Sequence, residues 1–172
     1  MSVNYLYGRS WHESGRFPVA EMTEAQAKKK FAKGPQLGVI AGPDIQKGQV
    51  PAYVLTMNAG AESVSVHHYA ATGSIEAILS YRTIEGRLFL FDVTEYLYPD
   101  DGEFHFQDEC TAVRSYLFEP DGNVNLRSDV SAEEQVLVEE FSGVDVSPHW
   151  RDPIGWGEWD AIGTAESGRP TA

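Results

Sequence analysis

IEAILSYRTIEGRLFLFDVTEYLY, residues 75–98, alternates in period two through its first ten positions and breaks at Glu85-Gly86 before resuming. A period of two sends successive side chains to opposite faces of a strand, so Ile75, Ala77, Leu79 and Tyr81 share one face and Glu76, Ile78, Ser80 and Arg82 the other. One face of Ile75–Ile84 is therefore core. A two-residue break containing glycine, set between two such runs, is a hairpin turn and makes the strands antiparallel neighbours. Leu88-Phe89-Leu90-Phe91 then carries apolar groups on both faces. That places Arg87–Tyr98 centrally, covered by sheet on one side and by helix or loop on the other.

The same period continues outward on both sides of this hairpin. Val50–Met57, Ser63–Ala70, Glu103–Asp108, Thr111–Phe118 and Asn123–Arg127 read as further strands, and Gln36–Ala41 as a short one ending at the turn Gly42-Pro43-Asp44. Asp100-Asp101-Gly102 and Pro120-Asp121-Gly122 are short, turn-rich connections that demand hairpins. Glu21–Lys33 reads as a helix capped by Thr23 with Gln26 and stopped by Gly34. Ser131-Ala-Glu-Glu134 has the spacing of a second capping box, opening a helix through Val136, Leu137, Val138 and Phe141 to Gly143. Met1–Pro18 is coil or an edge segment. The expected fold is α+β: a strongly curved antiparallel meander of six to eight strands, bent as far as a half barrel, flanked by two helices. Residues 1–162 form one domain and 163–172 a disordered tail.

At 172 residues with 42% apolar content, the chain is long enough for a single domain with a real core. Its charge is split lengthwise: Met1–Phe91 has nine Lys or Arg against seven Asp or Glu, and Asp92–Asp160 has three against eighteen. Such a field repels nucleic acid and anionic membrane and attracts basic protein. Cys110 is the single cysteine, which excludes an internal disulfide and favours a reducing, cytoplasmic setting. Met1–Ser10 lacks the apolar stretch of a signal peptide, and no run of residues is apolar enough to span a bilayer. No nucleotide loop, hydrolase elbow or zinc-protease motif occurs, so neither a cofactor nor a metal is expected.

Several residues invite chemistry. His67 and His68 are adjacent on a strand, point to opposite faces and cannot share a metal ion without a bulge. Glu103 and His105, with Gln107, lie on the polar side of an alternating run, where they would serve as acid and base or simply as a charged edge. Cys110 stands beside Asp108 and Glu109, carboxylates that raise a thiol pKa and disfavour a reactive thiolate. Asp121-Gly122-Asn123-Val124-Asn125 resembles the start of a calcium loop but lacks its later glycine and closing acid, so a hairpin turn explains it better. Lys28, Lys29, Lys30 and Lys33 form a solvated helix face. Trp150, Trp156 and Trp159 either anchor a partner or tuck into the edge of the core.

Two functions fit this pattern. The first is a small interaction protein, an inhibitor, immunity-type or antidefence factor, whose acidic half docks a basic protein such as a nuclease groove. Its contacts would come from Asp100, Asp101, Glu103, Asp108, Glu109, Glu139 and Glu140, anchored by Trp150, Trp156 and Trp159. The second is a small-molecule binder or enzyme with a pocket in the concave face of the sheet, using His68, Glu103 and His105 as acid–base residues.

Overall fold

The computed structural model describes residues 3–165. The chain opens with strand β1 (Val3–Gly8) and a small hairpin, β2 (Ser10–His12) with β3 (Phe17–Val19). Helix α1 (Glu24–Lys33) follows. The Gln26 N–H donates to Thr23 Oγ1 and the Thr23 N–H to Gln26 Oε1, so two otherwise unpaired donors are satisfied at its start. Gly34, at φ 88°, ends it in the left-handed conformation.

Eight strands then run in sequence: β4 (Leu37–Pro43), β5 (Tyr53–Asn58), β6 (Ser63–Tyr69), β7 (Ile75–Ile84), β8 (Arg87–Leu97), β9 (Ala112–Phe118), β10 (Val124–Val130) and β11 (Leu137–Phe141). A two-residue strand β12 (Trp150–Arg151) and the short helix α2 (Asp160–Gly163) complete the described fold. The main sheet is antiparallel, in the order β1-β4-β5-β6-β7-β8-β9-β10-β11. From β4 through β11 each strand lies beside the next in sequence, as a meander must, while β12 pairs with β8. The β7–β8 turn has positive φ at both Glu85 and Gly86, the mirror-image geometry that matches strand twist. With β1 at one edge and β11 at the other, the sheet is open and does not close into a barrel.

Alternation sorts the side chains into an inner and an outer face. Val39, Leu55, Val66, Leu79, Val93 and Tyr116 lie opposite one another across successive strands and are all buried. Ala27 and Phe31 of α1 cover this inner face, together with the chain from Val144 to Ile162. On the outer face a smaller core joins Trp11 of the β2–β3 hairpin to Ile40, Ile45 and Val54. Leu88, Phe89 and Leu90 are consecutively buried, as a central strand requires, and Trp150 of β12 packs on Phe89 with ring centroids 4.7 Å apart.

Two expected elements are replaced. The segment 131–141 is not a helix: β11 pairs antiparallel with β10, with Phe141 opposite Val124 and Leu137 opposite Ser128. Ser131 caps nothing, because its Oγ donates to the Thr111 carbonyl at 3.0 Å. Nor is 103–108 a strand. Asp101 accepts from the Glu103 N–H, Ser74 Oγ from the His105 N–H at 2.8 Å and Glu109 from the Phe106 N–H at 2.7 Å, so side chains satisfy donors that a neighbouring strand would otherwise take. β1, β11 and β12 take the main sheet beyond the expected strand count. Gly163, placed at the head of the tail by the sequence, is the buried last residue of α2; residues 166–172 lie outside the described part.

Candidate functional site

The acid–base candidates are tied to different partners. His68, on the inner face opposite Tyr53 and Ala77, donates from Nε2 to the Gly163 carbonyl at 2.9 Å. His105 lies in the loop after β8, stacks on Tyr98, and donates from Nε2 to both carboxylate oxygens of Asp101 at 3.0 Å. The Glu103 N–H and the His105 ring hold the Asp101 carboxyl below the usual carboxylate range. Glu103 itself is exposed. Ser74 Oγ, which would be a nucleophile beside a His–Asp pair, is occupied by the His105 main chain and by Thr72 Oγ1. Burial, together with Asp129 and Asp108, pushes the Cys110 thiol up, away from reactivity. Among the described residues no three His, Cys, Asp or Glu side chains converge as metal ligands.

The centre of the inner face is filled, and the openings lie at its rim. One cleft of about 540 Å³ is bordered by Tyr53, His68, Glu76 and Gly163. Above it, Tyr53 Oη donates to Asp160 Oδ1 at 2.5 Å and Tyr5 Oη to Oδ2 at 3.2 Å, a clamp that fastens α2 to two strands. Burial and the Asp160 carboxylate raise both tyrosine hydroxyls above their ordinary value.

The tryptophans settle inward. Trp159 is fully buried, edge-on to Phe31 and Trp156, so it cannot present its ring to a partner. Trp156 stacks on Tyr7 and is half-buried, as is Trp150 against Phe89. An inward apolar ring gives the irregular chain between β11 and α2 the burial that regular structure would otherwise provide.

The far edge of the sheet is exposed as well. Comparison with protein-family models, curated proteins and solved structures gave no match. The edge must therefore be read from its own chemistry. All five residues of β11 are exposed, with Leu137 at 57%, Val138 at 59% and Phe141 at 41%. Val136 precedes them, and Leu117 of β9 stands 50% exposed in the outer-face row that passes Asn125 to Glu140. Around them, from Ser115 to Asp145, lie the exposed carboxylates of Glu119, Asp121, Asp129, Glu133, Glu134, Glu139, Glu140 and Asp145, against Arg127 alone. A cleft of about 490 Å³ at the end of β11 is walled by Glu119, Asn125, Glu140 and Phe141. Asp101 and Glu109 of the β8–β9 loop are engaged locally, whereas among the described residues no side-chain hydrogen bond or ion pair holds the carboxylate of Glu139 or Glu140.

Sequence reasoning found Glu139 and Glu140 but missed Leu137, Val138 and Phe141 as surface groups, because it placed them on the buried stripe of a helix. The signal that would have found them is the pair Val136 and Val138, β-branched residues that stiffen an extended chain.

Proposed function

We propose that this chain is a cytoplasmic interaction protein of the inhibitor or immunity type that docks a basic protein partner on the acidic edge formed by β9, β10 and β11. The observation that carries the reading is the wholly exposed β11, where apolar side chains stand among carboxylates that the protein does not itself use. Apolar contact supplies the affinity of such a surface, and the carboxylates supply steering and selection. The tryptophans serve the core. A field of this sign accelerates encounter with a cationic surface and repels phosphate backbones, so a nuclease would be met at its basic groove and its nucleic acid substrate would not be met at all. No helix among the described residues is long and apolar enough to cross a membrane.

Affinity capture from the native host at about 50 mM and about 500 mM salt, a range across which exposed charges become screened, tests this reading when run beside Glu139→Lys/Glu140→Lys. A stoichiometric basic partner, released by salt and lost with the charge-reversed pair, is expected. A partner retained equally by both proteins, or no partner at either salt, would overturn it.

A further inference from the structure

We infer that the partner engages by adding an extended segment to β11 as a further antiparallel strand, and that this segment carries two adjacent basic residues flanked by apolar ones. The inference rests on the acidic-edge reading and specifies its mode. An edge strand presents unpaired N–H and C=O groups, and natural sheets guard such edges with charged side chains, Pro, bulges or a covering element. The opposite edge of this sheet is guarded in that way: Met22 N–H donates to the Tyr7 carbonyl at 3.0 Å, the β2–β3 hairpin reaches Arg9, and α1 lies alongside β1. Among the described residues β11 has no covering element and is guarded only by the charge of Glu139 and Glu140, which a basic strand would neutralise. It holds no Pro, no Lys and no bulge in its pairing with β10, and among the described residues no strand lies on its outer side.

The side chains then set the complement. Leu137, Glu139 and Phe141 point to one face and Val138 and Glu140 to the other. A strand laid antiparallel meets, in its own order, Phe141, Glu140, Glu139, Val138 and Leu137, so its best side chains run apolar, basic, basic, apolar, apolar. The cleft walled by Glu119, Glu140 and Phe141 lies where that segment enters and takes a further basic side chain. A second copy of this chain is the wrong occupant. Pairing β11 with itself about Glu139 sets that carboxylate directly against its twin, which is destabilising, and each copy carries a net charge of −13. The lysines of this chain's own basic cluster are fixed in α1 and are unavailable as a strand.

The test uses the intact protein and a fluorescent peptide with the core VKKVL, compared with VEEVL and with VKKVL N-methylated at alternate amides in either phase. N-methylation keeps the charge and removes the main-chain donors that strand addition needs. Fluorescence anisotropy should show salt-sensitive binding of VKKVL and a loss of roughly tenfold or more, about 1.4 kcal/mol, for VEEVL and for the N-methylated peptide that blocks the ladder. Hydrogen exchange should slow at residues 137–141 with VKKVL bound. If the N-methylated peptides bind as well as the parent while Glu139→Lys/Glu140→Lys abolishes both, the acidic surface stands and strand addition falls. If charge reversal changes nothing, the acidic-edge reading falls with it. Failure of VKKVL to bind at millimolar concentration, or a dimer protected at 137–141 without peptide, would also overturn the inference.

Discussion

His67 shows how one position on a strand becomes a liability in acid. Its side chain lies on the outer face between Val54 and Ile78, where burial, and secondarily the neighbouring His68, lowers its pKa to about 4 from the ordinary 6.5. The unfolded chain takes up a proton near pH 6.5 and the folded chain does not until about pH 4. Protons therefore favour unfolding throughout that window, and stability falls as the pH drops through it. His67→Leu should remove this component: relative to its own stability at pH 7, the variant should lose up to ~3 kcal/mol less than the wild type by pH 4. Urea midpoints at the two pH values measure the difference, and parallel losses would show that His67 titrates alike in the folded and the unfolded chain. Asp160 acts in the opposite sense as a single-residue fastener, since both Tyr5 and Tyr53 donate to it and no other side chain ties α2 to β1 and β5 in this way among the described residues.

At the level of elements, α2 is too short to be stable alone and exists because of what it docks against. Gly163 is the contact point: a Cβ there would stand 2.2 Å from Tyr53 Cε2, and Tyr53 is buried and held by Asp160, so it has little room to yield. Gly163→Ala should destabilise the fold by ~1–3 kcal/mol through overpacking, seen as a lower urea midpoint; an unchanged midpoint would mean α2 lifts off without loss. Elements defined by local chemistry were legible in the sequence. Ile75–Ile84 is a strand over those same residues, and the Thr23–Gln26 capping box is built as its spacing implies. Elements decided by distant partners were not. Leu137 and Phe141 are four apart, a separation that returns to the same side in both a helix and a strand, so only pairing with β10 distinguishes the two. The alternation of residues 103–108 was genuine, but β9 takes the edge of β8 where such a strand would lie, and Ser74, Asp101 and Glu109 capture the main-chain donors instead. Of the candidate site, its charge was legible from composition and its geometry was not, because exposure of Leu137, Val138 and Phe141 depends on which segment ends the sheet.

Across the whole molecule the two charge regimes coincide with two ways of ending a sheet. The near-neutral half finishes in β1, which other parts of the chain cover; the acidic half finishes in β11, which repulsion alone defends. Glu139→Thr/Glu140→Thr keeps β-favouring residues on an apolar edge and removes that defence. Light scattering should then report self-association at low salt, and a variant that stays monomeric would show that the edge is protected by something other than charge. Residues 144–165 form the other half of this design, since they return across the inner face only after the meander is complete. A ribosome delivers a chain from its N-terminus, so every strand through β11 emerges before Ile154, Trp159 and Ile162, which share one core with Val66, Leu79, Val93 and Phe118. The newborn protein thus passes through a stage in which α1 alone roofs its oily underside, and the speed at which residues 144–165 follow sets how long a chaperone has to stand in for them.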